Sequence, residues 1–333
     1  MRRPPIRPVV WQPPRATPRA KARTGPVPLP PVRLIDVGGT GPEDVLVAPD
    51  GQVVTGVADG RLLRVHPETG LVENVAQTGG RPLGIELLPD GRLLVCDAVR
   101  GLLAVDPESG SVTTLVDRVA GQPILFCNNA AVAGDGTVYF SDSSRRFGIA
   151  HWRAEMFEHS GTGRLLRRDP TGAVDVVLDG LEFANGVALA PDGSAAVVAE
   201  TGAYRLRRVW LTGDRAGHDE VLLDNLPGIP DNISSGAGGL IWVALPSPRD
   251  PRLDLLHPRH PALRRLAWAL PQRLLPEQRT VWTIAVDGTG TVVHDLQDQV
   301  PGYHMVTGVR EHAGRLYLGS LAERAIAVMD LRV

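Results

Sequence analysis

Six times along the chain the same short pattern returns, an apolar-alternating run closed by a tight turn. The copies are GPEDVLVAPDG at 41–51, RPLGIELLPDG at 81–91, CNNAAVAGDG at 127–136, FANGVALAPDG at 183–193, PDNISSGAGG at 230–239 and, more loosely, VTGVREHAG at 306–314. A second strand-like run follows the turns (LLVCDA, VYFSDS, AVVAET, LIWVAL, LYLGSL), and often a third, such as RLLRVHPETG or GLLAVDPESG. Short alternating segments between turn signals read as antiparallel sheet. A period of roughly 40–50 residues with about four strands reads as a propeller blade, because one small twisted sheet cannot bury both faces until its neighbours pack around a ring. The pattern therefore predicts an all-β protein, a six-bladed β-propeller spanning 32–333. The run VRLIDVG at 32–38 would supply the outer strand of the blade begun by the C-terminal repeat. Such closure removes exposed sheet edges.

Two stretches interrupt the period, at about 144–161 and 252–278. The second carries a predicted short helix at 262–270 in blade five, started by Pro261 and with Leu263, Leu266 and Leu270 on one face. Together with Trp268 they would pack on the propeller itself; a membrane-surface or dimer contact is the alternative use of such a helix. The first 31 residues hold ten of the 29 prolines, seven basic residues and no acid, which predicts a flexible or extended tail outside the core. No signal-peptide core and no long apolar run is seen, so a cytoplasmic protein is the expectation. Removing the tail's seven positive charges from the net of −2 leaves the remainder near −9, which disfavours nucleic acid as a partner. Cys96 and Cys127, the two cysteines, suggest buried free thiols and neither a disulfide framework nor a zinc site. No serine-hydrolase elbow, P-loop or Rossmann glycine pattern is present.

Equivalent positions in the six copies should converge on the channel axis, since the first strand of each blade lines it. Counting back from each turn gives Glu43, Leu83, Asn128, Asn185, Asp231 and, for the irregular sixth copy, Val306. Four of these carry side-chain oxygen donors, and Asn232 beside Asp231 could add another. Polar residues at strand starts also serve as turn caps. Their shared phase points instead to a hard cation, because inward-facing carboxylates and carboxamides are costly when dry and unpaired. Calcium accepts six to eight oxygens in irregular geometry, whereas zinc would want the His or Cys that the ring lacks. A second ring, Asp97, Asp142, Glu200 and Ser320, falls where the following strands return to the same face. Its carboxylates, with His304 just before the sixth inner strand, are the candidates for proton transfer; ordinary strand-end hydrogen bonding is the alternative.

Taken together, FCNNAAV, YFSDSS, TGRLLRRDP, LEFANGVALAPDG, the PDNI segment and REHAGRLYLGSL closely resemble the strictosidine synthase-like family, a branch of six-bladed propellers that includes paraoxonases and gluconolactonases. The resemblance implies a calcium ion at the top of the channel, held at Glu43, Asn128, Asn185, Asp231 and Asn232. Paraoxonase-like members also keep a second, structural calcium. Asp44 matches one of its ligands, but Asn129 replaces an acid there. The histidine that paraoxonases place in blade two falls at Leu83, and the glutamate of true strictosidine synthases falls near Thr307. The expectation is a calcium-dependent hydrolase of small esters or lactones acting on a small-molecule substrate. A non-hydrolytic calcium-assisted biosynthetic enzyme and a non-catalytic binding propeller remain the alternatives. The insert SRRFGIAHWRAEMFEHSG, with Phe147, Trp152, Met156 and Phe157, could form a pocket lid or simply pack on the rim.

Overall fold

The computed structural model describes residues 3–270 and 278–331. Six four-stranded antiparallel sheets surround a central channel; five have their first strand in sequence innermost, and the sixth has Val306–His312 there. Blade one runs from Val45–Val47 to Val72–Gln77, blade two from Pro82–Leu87 to Val112–Val116 and blade three from Cys127–Val132 to Val174–Leu181. Blade four runs from Ala184–Leu189 to Asp219–Leu223 and blade five from Ile233–Ser235 to Val292–Asp298. Blade six combines Val306–His312, Arg315–Ser320 and Ala325–Asp330 with Arg33–Asp36, whose register joins Arg33 to Val328 and Asp36 to Ala325. The ring thus closes as the VRLIDVG run predicts.

Strand position explains the burial patterns. Ala195–Glu200, second in its blade and covered by neighbours on both faces, is buried throughout, whereas the outermost Val174–Leu181 is mostly open. The core is divided into six between-blade layers. Leu46, Val54 and Leu62 of blade one, for example, meet Ile85, Leu93 and Val95 of blade two, and Ala188, Val197 and Leu206 of blade four meet Ile233, Val243 and Ile284 of blade five. Each layer removes the apolar face that a lone blade would leave in water.

Both predicted insertions join the second strand of a blade to its third. The first contains a helix the sequence pattern did not suggest, α1 (Trp152–Glu158). The second holds α2 (Pro251–Leu256), also unforeseen, and α3 (Pro261–Ala269), close to the expected helix; residues 271–277 of that predicted insertion lie outside the described residues. The orientation of α3 reverses the expectation. Arg264 and Trp268 are its buried side chains, and Leu263, Leu266 and Leu270 face outward. Arg264 wins the inner face because its guanidinium donates to the carbonyls of Phe157, Glu158 and Val9, which no leucine could satisfy. Trp268 packs with Ile6, Phe147 and Phe157.

The N-terminal segment is extended, as its prolines predict, but it is not a loose tail. From residue 3 it forms a strap over the insertions: Ile6 is buried beside Trp268, Trp11 stacks on His159 at 4.2 Å, and Arg19 pairs with Asp295 over the ring of Trp282. Composition alone hid this, because a segment too short of apolar residues for a core of its own can still dock its few on a finished one.

Candidate metal and substrate site at the channel mouth

Inner strands enter the sheet through a register shift, between Pro82 and Ile85, Cys127 and Ala130, Ala184 and Val187, and Val306 and Gly308. Bulges of this kind re-aim a side chain. Leu83, Asn128, Asn185 and Thr307 at these shifts line one cavity, together with Glu43 and Asp231 from blades one and five. The cavity opens to solvent and leaves about 40 Å³ of space for the centre of a water-sized sphere. Five of the six counted positions are therefore on its wall. The sixth is Thr307 and not Val306, which is buried in the layer between blades five and six. Eight residues separate ring position and turn glycine in the first five copies but seven in the sixth, which displaced the count by one.

Hydrogen bonds on one end of each carboxamide fix where the other end points. Asn128 Nδ2 donates to Ser143 Oγ at 2.9 Å, Asn185 Nδ2 to Thr201 Oγ1 at 3.1 Å and Asn232 Nδ2 to Glu43 Oε1 at 3.0 Å. Asn128 Oδ1, Asn185 Oδ1, Asn232 Oδ1 and Glu43 Oε2 are left buried without a hydrogen-bond partner. Orphaned acceptors are rare in native interiors, and four in one ring call for a shared positive partner. Ser143 and Thr201, which orient the amides, escaped the sequence reading, although each directly follows a second-ring acid in YFSDSS and VVAET. Among the described residues no group of three or more His, Cys, Asp or Glu is placed to hold a metal. The ring consequently fits an ion that takes carboxamide oxygens as readily as carboxylates, which is calcium-like chemistry.

The carboxylates strain in the same direction. Burial pushes Glu43 well above the usual carboxylate range, with Asp231 and Asp44 adding to it. Asp231 is pushed up to about 7 by burial and by Asp44, against the opposing hydrogen bond from Asn185. Asp44 is pushed up to about 6, again by burial, although Arg310 pulls it down. A carboxylate whose folded value is raised favours the fold while it keeps its proton, and that contribution is lost as pH rises through the folded value. Chelated protein should therefore melt several degrees lower at pH 8 than at pH 5, and added calcium should remove most of the difference. Melting curves at the two pH values, with and without the ion, measure this directly; a chelated protein more stable at pH 8 would contradict it.

Residues at the second, structural ion position do not fit a cation. Asn129 Nδ2 donates to Asp44 Oδ2 at 3.3 Å, and Asn129 Oδ1 accepts from the Val187 amide at 2.8 Å, so neither amide end is open. Arg310, on the inner strand of blade six with its side chain 15% exposed, contacts Glu86 at 2.6 Å and lends positive charge to Asp44. A guanidinium supplies the positive charge beside Asp44. Glycine makes the close packing here: a Cβ on Gly308 would lie 2.7 Å from Asp44 Cα, and one on Gly186 would lie 2.2 Å from Ile233 N.

The second ring does not lie on the cavity wall. Asp97 Oδ1 accepts from the amides of Arg81, Val99 and Arg100. Asp142 binds the Phe126 amide and pairs with Arg164 at 2.9 Å; Glu200 binds the Glu182 amide and pairs with Arg205. Ser320 Oγ donates to the His304 carbonyl. All four tie the chain entering an inner strand to the strand beside it. Asp97 Oδ1, Asp142 and Glu200 thus serve as strand-end anchors away from the cavity, with Asp97 Oδ2 buried and unpartnered, and the proton-transfer role expected of these acids finds no place on its wall. His304 is buried, with Nδ1 against Glu323, next to the cavity-lining Met305 but not itself on the wall. Glu43 and Asp231 are the titratable groups that line the cavity.

Apolar side chains make the rest of the wall. Phe126, Phe183, Ile229, Pro246, Met305 and Leu321 surround the ring, and Ile149 and Trp152 reach it from the first insertion. That insertion is in part the lid its sequence suggested. Met156 packs beneath it on Leu83, Phe126 and Phe183, whereas Phe147 and Phe157 turn away to α3. Phe183 and Met305, each two residues before a ring position, adopt left-handed backbone at φ 62° and 54°. Such conformations are sparsely populated for bulky residues and cluster at functional sites.

Comparison with known proteins agrees with this geometry. The strictosidine synthase family profile matches residues 128–214, and the strictosidine synthase-like N-terminal profile matches residues 29–65. Adipocyte plasma membrane-associated protein of Danio rerio is 35% identical over 327 residues, covering 90% of this chain and 77% of that protein. A gluconolactonase from Xanthomonas campestris superposes with a TM-score of 0.67 at 18% identity, covering 100% of this chain and 99% of that one. Regucalcin of Agrobacterium tumefaciens, a calcium-binding protein, superposes with a TM-score of 0.64 at 17% identity, covering 91% and 94%. Among the described residues no helix is long and apolar enough to cross a membrane. The fish relative's name associates that protein with the plasma membrane, which lends nothing to the cytoplasmic expectation.

Proposed function

We propose that this chain, which belongs to the strictosidine synthase-like family, is a calcium-dependent hydrolase of small esters or lactones. The observation that carries the reading is the set of buried, unpartnered oxygens on Glu43, Asn128, Asn185 and Asn232, converging with Asp231 beside an apolar cavity. These five residues would hold the ion. Bound there, calcium would supply Lewis-acid polarisation of a carbonyl oxygen. Likeness in fold to a gluconolactonase and to regucalcin, a calcium-binding protein, supports the pairing of ion and substrate class.

The chain's own residues do the rest. Phe126, Phe183, Trp152 and Ile149 take the apolar part of the substrate, which leaves the ester group facing the polar ring. Ser143 and Thr201 hold the two ring amides in one orientation, so little reorganisation is needed when charge develops. Pictet–Spengler chemistry is disfavoured, because Thr307 occupies the glutamate position and its hydroxyl is spent on the Glu43 carbonyl at 2.7 Å.

A panel of lactones and aryl esters, assayed with chelator and with calcium restored, tests the proposal. Turnover that vanishes on chelation and returns with calcium is expected. Absence of calcium-dependent turnover across the panel would overturn the hydrolase reading and leave the ring as a binding site.

A further inference from the structure

The reversed helix α3 leaves an apolar face that the propeller does not use. Leu263, Leu266 and Leu270 are 42%, 66% and 54% exposed, and Leu255 of α2 is 56% exposed. Val9 and Val10 of the strap, also exposed, run beside them, since Val9 bonds both Glu158 and Arg264. Single exposed leucines need no explanation, but a group of six apolar residues on one insertion and its strap does. The same elements carry exposed Arg7, Arg252, Arg259 and Arg265. Asp254 is committed to Arg249 and Tyr204 and Glu158 to Arg146, while Asp250 pairs with Arg252 on the face itself and leaves Arg7, Arg259 and Arg265 as its basic groups. Leucines fringed by Arg7, Arg259 and Arg265 complement an anionic lipid surface in both charge and polarity.

Position links this face to the cavity. α1 lines the cavity through Trp152 and packs on α3 through Phe157 and Trp268, whose rings lie 5.4 Å apart. Leu253 of α2 packs against the Leu83, Phe126 and Phe183 cluster at the cavity wall, while Leu255 two residues on faces water.

We propose that α2, α3 and the strap form an interfacial docking surface that seats the protein on anionic phospholipid with the channel mouth turned toward the bilayer. The proposal stands apart from the hydrolase reading and can succeed or fail without it. Net charge near −9 over residues 32–333 would repel such a membrane at long range, so the contact must be made by these basic and apolar groups at close quarters.

Flotation of the full chain with mixed phosphatidylcholine–phosphatidylglycerol vesicles tests it, with pure phosphatidylcholine as the comparison and size-exclusion light scattering in parallel. Wild type should float with the mixed vesicles and much less with phosphatidylcholine. Leu263→Ser, Leu266→Asp should weaken binding by about 10-fold or more, because two leucines lose their burial in lipid. Arg259→Gln, Arg265→Gln should weaken it on the anionic vesicles alone. Both variants change exposed side chains, so unchanged melting curves would show that folding is intact. Failure of wild type to float, or flotation that both variants retain, would overturn the proposal. A concentration-dependent dimer abolished by Leu266→Asp, without vesicle binding, would equally overturn it and assign the face to a second copy of the chain.

Discussion

Asn185→Ala should lower calcium-dependent turnover by ~10²–10³ even when calcium is saturating, the usual cost of deleting one preorganised electrostatic contact in an acyl-transfer site. Asn185 is neutral, so its loss should weaken the ion's binding less than the loss of Asp231, one of the two anionic members of the ring. The pair of variants therefore separates affinity from positioning: Asp231→Ala should need more calcium, while Asn185→Ala should stay slow when the ion is in place. Thr201→Val adds a control, since it removes the hydroxyl that holds the Asn185 amide at 3.1 Å and leaves the amide itself. An intermediate loss is expected there. Normal turnover by calcium-saturated Asn185→Ala would mean that the ion is structural and the chemistry lies elsewhere.

Arg310→Met should destabilise the fold by ~3–5 kcal/mol, the range for breaking a buried ion pair by removing one partner. Its guanidinium serves Glu86 at 2.6 Å and offsets Asp44, which burial already pushes up to about 6. Without it Asp44 should hold its proton more tightly still, so the loss should be larger at pH 8 than at pH 5. Adding Glu86→Gln to Arg310→Met should recover part of the stability, because the second charge is removed with the first. Chemical denaturation of the three forms measures this. An Arg310→Met protein as stable as wild type would show that the guanidinium does not offset the carboxylates of Glu86 and Asp44.

The propeller was legible because closure of a ring imposes one repeat on every blade, and the turn glycines at 51, 91, 136 and 193 keep the phase visible. For the same reason the ring of oxygen-bearing residues could be counted from Glu43, Asn128, Asn185 and Asp231, and the count failed by one residue only where the sixth turn shortens. Side-chain direction was not legible. Asp142 pairs with Cys127, one residue from Asn128, yet Arg164 and the Phe126 amide draw the acid away while Ser143 turns the amide oxygen inward. A strand-end carboxylate reads the same in either case. Helix α3 misled through its amphipathicity. A leucine stripe predicts burial in isolation, but the carbonyls of Phe157, Glu158 and Val9 needed donors more than the propeller needed leucines.

Calcium titration of chelator-treated, dialysed protein, with elemental analysis of the reloaded form, tests the central claim most directly. One calcium per chain should bind at pH 8, with affinity falling as pH drops through 7 and Asp231 takes up its proton. Asn128→Ala, Asn185→Ala should reduce that affinity, because two of the oxygens that would hold the ion are lost. Two ions per chain, or one ion bound equally well by wild type and the double variant, would contradict a single site built on the carboxamide ring.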